Sequence, residues 1–169
     1  MLVVVCGPPG TGKTTVAEWI AQHRDARLVR TDVVRGDVVD DPEYTEAERR
    51  RVYESVFRRI EAGLEDGSSV VADGTFDRRE YRERVGRVAM EADVRFELVR
   101  VTCDPETVER RIERRENDES DATVENYHEI RDEFDPVTGS HLRIDNSGTR
   151  EAMERALREH FECAHCGSR

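Results

Sequence analysis

The residues most suited to chemistry begin at Gly7-Pro8-Pro9-Gly10-Thr11-Gly12-Lys13-Thr14, which satisfies G-x-x-x-x-G-K-[ST] at every fixed position. The run follows the apolar stretch Leu2-Val3-Val4-Val5-Cys6 and precedes the helical pattern Thr15-Val16-Ala17-Glu18-Trp19-Ile20. Successive backbone N–H groups closing onto a helix N-terminus give donors and a favourable dipole to a phosphate chain. Glycines keep side chains out of that cradle. Lys13 would reach the β- and γ-phosphates as a compact charge, the Thr14 hydroxyl would join a Mg²⁺ shell, and Thr15 completes the nucleotide-binding set. The bland alternative is a Gly/Pro turn joining a strand to a helix.

Three further groups could complete a site. Asp32, in Thr31-Asp32-Val33-Val34-Arg35, follows the second apolar run; a carboxylate there can take the proton of an attacking hydroxyl, and Arg35 can hold an anionic group. Alternatively, Asp32 caps a short helix over 33–35. Asp73 ends the apolar run Ser69-Val70-Val71-Ala72 and suits a second Mg²⁺ ligand, or else a plain cap for the next helix. Arg111 and Arg115, four residues apart in Arg110-Arg111-Ile112-Glu113-Arg114-Arg115, share a helical face and could lean over a triphosphate; otherwise they form a solvated face paired with Glu109, Glu113 and Glu116. Asp145-Asn146-Ser147-Gly148-Thr149 reads as a turn beside the base pocket or as a turn without function.

The elements that must position these groups alternate along the chain. Strands are expected at 2–6, 26–30, 69–73, 94–102 and 141–144. Helices are expected from 15 to about 23, over 46–65, 78–91, after Pro105, over 122–134 and 150–161, with a loop over 36–45. Alternation of this kind implies an α/β fold, a parallel sheet covered on both faces with right-handed crossovers. One domain over 1–162, with a tail over 163–169, is the economical division. In that tail Cys163 and Cys166, flanked by His160 and His165, are half of a zinc site or part of a frayed end. Cys6 and Cys103 end strands and read as small buried apolar residues.

Composition narrows the function. The chain carries 38 Asp+Glu against 27 Lys+Arg, and its single lysine is Lys13. An ammonium is thus kept where a point charge on a thin stem is needed, and arginine serves elsewhere. Abundant carboxylates, scarce lysine and a hydrophobic fraction of 36% resemble the proteins of salt-loving archaea, although a GC-rich genome would also favour arginine. A net charge of −11 disfavours nonspecific attraction to nucleic acid, so a polynucleotide acceptor would need a local basic groove. With no bilayer-length apolar run and no signal-peptide pattern, a cytoplasmic protein without a membrane partner is expected. A GTPase would show N-K-x-D, which a chain whose only lysine lies in the phosphate loop cannot supply.

In order, GPPGTGKT, TDVVR, VVADGTF followed by an RREYR segment, the arginine-rich helix after CDPETV, and IDNSG resemble the small phosphate-loop kinases related to bacteriophage polynucleotide 5′-kinase and zeta toxin. The resemblance covers nearly the whole chain. It implies a three-layer fold with a five-stranded parallel sheet in the order 2-3-1-4-5, Asp32 as general base, Arg35 as acceptor-phosphate contact, and Arg111 and Arg115 as lid arginines. It also implies an ATP- and Mg²⁺-dependent kinase acting on an unidentified hydroxyl acceptor: a nucleic-acid 5′-end, a nucleotide-sugar, a sugar acid or adenylyl sulfate. The rival expectation is a nucleotide-dependent regulatory ATPase with no acceptor. Sequence leaves the oligomeric state open.

Overall fold

A computed structural model describes residues 1–114 and 123–163, excepting the Cys163 side chain. Its elements are β1 (Leu2–Cys6), α1 (Lys13–Arg24), β2 (Ala26–Arg30), α2 (Thr31–Val38), α3 (Glu46–Glu65), β3 (Ser69–Asp73), α4 (Arg79–Glu91), β4 (Phe96–Thr102), α5 (Pro105–Glu113), α6 (Val124–Glu133), β5 (Leu142–Asp145) and α7 (Arg150–Cys163). The five strands form one parallel sheet in the order β2-β3-β1-β4-β5. This is the expected fold and strand order.

β1 reads as a continuous apolar run because both its faces are covered. Leu2, Val4 and Cys6 point to one side, where Val52, Val56 and Ile60 of α3 and Val85 of α4 complete a core. Val3 and Val5 point to the other, against Val16 and Ile20 of α1 and Met153, Leu157 and Phe161 of α7. A third, smaller cluster joins Val108 and Ile112 of α5 to Tyr127 of α6. Fully burying one such aliphatic side chain stabilises the fold by roughly 1.5–3 kcal/mol, so the two large clusters fix the sheet before any polar contact is considered.

Register then sets the site. In β1, Val5 pairs with Asp73 of β3, and Asp73 in turn pairs with Arg30 of β2. The residues that follow these positions therefore meet at one carboxyl edge, where ligands bind in open α/β sheets.

Two expectations change. Asp32 does not cap a short helix: α2 starts at Thr31 with Arg30 as N-cap, no side-chain cap bond forms, and Asp32 lies within the first turn. The helix also runs to Val38, into the expected loop, because buried Val34 and partly buried Val38 and Val39 pack on the core, which holds the segment helical through Gly36. By contrast, Asp104 caps α5 as expected, accepting from the Thr107 N–H at 3.1 Å with Pro105 in the first turn. Cys6 is buried and Cys103 only partly so. Arg115 and Cys166 lie outside the described residues.

Candidate phosphate-transfer site

The loop between β1 and α1 turns on glycines: Gly10 and Gly12 have φ of 75° and 87°, where a side chain would be strained. A Cβ on Gly12 would also stand 2.1 Å from Asn146 Nδ2. The Pro8 carbonyl accepts from Thr11 Oγ1 at 2.8 Å and from Lys13 Nζ at 2.9 Å, so the lysine folds back over the loop. Burial lowers the Lys13 pKa below its ordinary 10.5, against the opposing pull of Asp73 and Asp32.

α1 begins without a side-chain cap and without an acid in its first turn, whereas each of α2–α7 carries at least one acid there. Its leading N–H groups and dipole are left to an anion supplied from outside. Thr15 lies in this first turn, partly buried. Pro9 lines a neighbouring cleft.

Thr14 Oγ1 donates to Asp73 Oδ2 at 2.8 Å. Burial raises the Asp73 pKa, with Lys13 and the Thr14 hydrogen bond opposing. Its other oxygen, Oδ1, is buried with no hydrogen-bond partner among the described residues, and Arg30 Nε stands 3.8 Å from Oδ2. An orphaned carboxylate oxygen beside a threonine hydroxyl fits a hard cation. No group of three or more His, Cys, Asp or Glu suited to a metal occurs among the described residues. A two-ligand site of this kind suits Mg²⁺, which keeps several waters and takes its remaining oxygens from phosphates.

Asp32 is exposed at the mouth of a cleft of about 300 Å³ that it shares with Pro9, Thr31 and Thr75. Thr31 Oγ1 donates to the Asp73 carbonyl at 2.9 Å, which pins the start of α2 to the end of β3. Arg35 lines the same cleft, but its guanidinium is paired with Glu48 and lies 4.9 Å from the centre of the Tyr44 ring.

Arg111 lies beside the loop: Nη2 donates to the Asn146 carbonyl at 2.9 Å and Nη1 approaches Cys103 Sγ at 3.4 Å. Asn146, buried, donates through Nδ2 to the Thr11 carbonyl at 2.9 Å. The turn after β5 thus braces the phosphate loop, a role its sequence did not disclose.

Sequence reasoning also missed Glu48, Arg49 and Asp77. Glu48 had a readable signal, since Thr45-x-x-Glu48 is a capping-box spacing. Thr45 does cap α3, while Glu48 Oε2 accepts from the N–H groups of Glu43 and Tyr44 at 2.8 and 2.9 Å. For Arg49 and Asp77, which pair at 2.9 Å across 28 residues, no local signal existed.

A family model described as AAA domain matches residues 2–137. An uncharacterized protein of Mycobacterium tuberculosis is 33% identical over 165 residues, an alignment covering 89% of this chain and 32% of the relative. The chain spans about a third of the length of the curated relatives it matches. Among solved structures, a gluconokinase from Sinorhizobium meliloti superposes with a TM-score of 0.72 at 17% identity, over 99% of this chain and 97% of that one. An APS kinase from Mycobacterium tuberculosis, in complex with AMPPNP and APS, gives a TM-score of 0.72 at 19% identity over 95% and 96%. At these identities the likeness establishes the fold. No helix among the described residues is long and apolar enough to cross a membrane.

Proposed function

This chain belongs to the AAA domain family, and from that premise we propose that it is an ATP-dependent kinase that moves the γ-phosphoryl group onto an alcohol. The observation that carries the reading is the position of Asp32: in the first turn of α2, close enough to Lys13 and Asp73 to act on both electrostatically, and lining the adjacent cleft. One side of this carboxylate faces the phosphate cradle and the other a space for an acceptor.

In this mechanism the backbone N–H groups of residues 10–15 and the Lys13 ammonium hold the triphosphate. Thr14 and Asp73 would hold Mg²⁺, which when bound neutralises charge on the β- and γ-phosphates. Asp32 accepts the proton of the acceptor hydroxyl as the new O–P bond forms and the bond to the β–γ bridging oxygen breaks, and ADP leaves. Arg111, held at the loop by the Asn146 carbonyl, stabilises the charge on the transferred group, with Arg115 as its companion. Arg35, held in its pair with Glu48, shapes the wall of the acceptor cleft. Apart from that of Arg35, this division of roles follows the resemblance to polynucleotide 5′-kinase and zeta toxin. The working unit is one kinase domain over 1–162, cytoplasmic, and its acidic, arginine-biased composition is read as adaptation to high salt.

The test is γ-phosphoryl transfer from labelled ATP at high KCl with Mg²⁺. Asp32→Asn should lower transfer by roughly 10²–10⁴-fold, the range of a general base, while ATP affinity stays within about twofold. Loss of ATP affinity in that variant would make Asp32 structural and sink the assignment.

A further inference from the structure

The cleft beside the phosphate loop has a charge balance that bears on what enters it. Two arginines line it, and both are engaged within the protein. Arg35 pairs with Glu48, whose second oxygen holds the backbone of residues 43 and 44; Arg49 donates to Asp77 at 2.9 Å. Glu48 and Asp77 are each only 6% exposed, so neither arginine can leave its partner without stranding a buried carboxylate.

Among the described residues, the remaining charges on the wall are all negative. Asn126, Glu129, Ile130 and Glu133 follow helical spacing along one face of α6 and line the cleft together, while Tyr127 on the opposite face packs into the cluster with Val108 and Ile112. Glu129 and Glu133 have no ion-pair partner among the described residues, and Asp32 faces them from α2. Asn126 adds a buried Oδ1 that has no hydrogen-bond partner among the described residues. Three carboxylates present acceptors to the cleft, so a matching ligand must be rich in donors.

From this arrangement we infer that the phosphoryl acceptor is a polyol without negative charge, and that an amine-bearing sugar or cyclitol is preferred over a neutral one. Hydroxyls and an ammonium donate to Asp32, Glu129 and Glu133. A carboxylate- or phosphate-bearing acceptor meets like charge, with no free guanidinium among the described residues that line the cleft. A space of about 300 Å³ suits a molecule the size of one sugar ring. The inference rests on the kinase reading and sets aside all four acceptors that the resemblance suggested, nucleic-acid ends, nucleotide-sugars, sugar acids and adenylyl sulfate, since each is an anion.

The test uses one ring in three charge states. Glucosamine, glucose and glucuronate, with a 5′-hydroxyl oligonucleotide alongside, are offered to the full chain with labelled ATP, and ATP binding is measured separately. The expected order of kcat/KM is glucosamine, then glucose, then glucuronate, with steps on the order of tenfold at low salt that shrink as KCl rises. Glu129→Gln combined with Glu133→Gln should compress the interval between glucosamine and glucose to about twofold, and circular dichroism with thermal melting confirms that the variant is folded. Faster transfer to glucuronate or to the oligonucleotide overturns the inference and leaves the kinase reading standing. ATP binding without transfer to any of the four overturns both. An unchanged glucosamine preference in the folded double variant assigns selectivity elsewhere and refutes the role of α6.

Discussion

The Arg35–Glu48 pair invites a quantitative trial, because the acceptor inference depends on its strength. Glu48 uses one oxygen for Arg35 and the other for two backbone N–H groups at 2.8 and 2.9 Å. In Glu48→Gln the amide has one carbonyl oxygen. If that oxygen keeps the backbone contacts, its NH₂ is turned against the guanidinium; if it turns to Arg35, the NH₂ faces two N–H donors. Either orientation leaves donors unmatched at a site where the two side chains are 17% and 7% exposed. Removing one partner of a buried pair costs about 3–5 kcal/mol, and the residual exposure of Arg35 favours the lower end. For a domain of this size about 3 kcal/mol corresponds to a fall in Tm of roughly 6–12 °C. Urea or thermal unfolding of Glu48→Gln, Arg35→Met and the double variant at fixed KCl gives the coupling energy, expected to exceed about 1.5 kcal/mol. A coupling below about 0.5 kcal/mol would mean a solvated pair and an Arg35 free to receive an anion, and would refute the argument for an acceptor without negative charge.

Two further outcomes are expected. The ε-methylene NMR signal of Lys13, unambiguous because no other lysine is present, should titrate below 10.5; since the folded value is depressed, the charged amine penalises the native state at lower pH, and wild type should gain stability relative to Lys13→Met as pH rises toward 10.5. A titration at or above 10.5 would contradict the burial argument. Gly74→Ala would bring a Cβ to 2.1 Å from Thr31 Oγ1, which is held on the Asp73 carbonyl, so the start of α2 should shift and transfer should fall at least tenfold, with partial recovery in Gly74→Ala/Thr31→Ala; no loss, or no recovery, would deny the clash.

What sequence could show depended on distance along the chain. The phosphate loop was legible because its glycines, lysine and threonine are consecutive and its flanking strand and helix are strongly patterned. Alternation gave an α/β sheet, but the order 2-3-1-4-5 came through resemblance, since periodicity says nothing of which strands are neighbours. The end of β2 at Arg30 was legible, but the start of α2 at Thr31, rather than after a capping Asp32, was not, because no turn residue marks it; the break is made by a tertiary contact, Thr31 to the Asp73 carbonyl. The same reason hid the engagement of Arg35 and Arg49 and the brace at Asn146. Each joins residues from separate elements, and no local pattern encodes such a meeting.

The brace has a temporal consequence. Thr11 and Asn146 are separated by 135 residues, so the loop, made well before β5, receives this hydrogen bond only after β5 has emerged from the ribosome. Contacts of such long range form late and slowly. A nascent chain stalled before residue 146 would carry the whole phosphate-binding motif yet hold it unbraced, with Arg111 lacking its anchor as well. Nucleotide would then act as a ligand of the domain that contains β5 rather than of its early intermediates, and would favour that domain over one truncated before residue 146 by mass action alone.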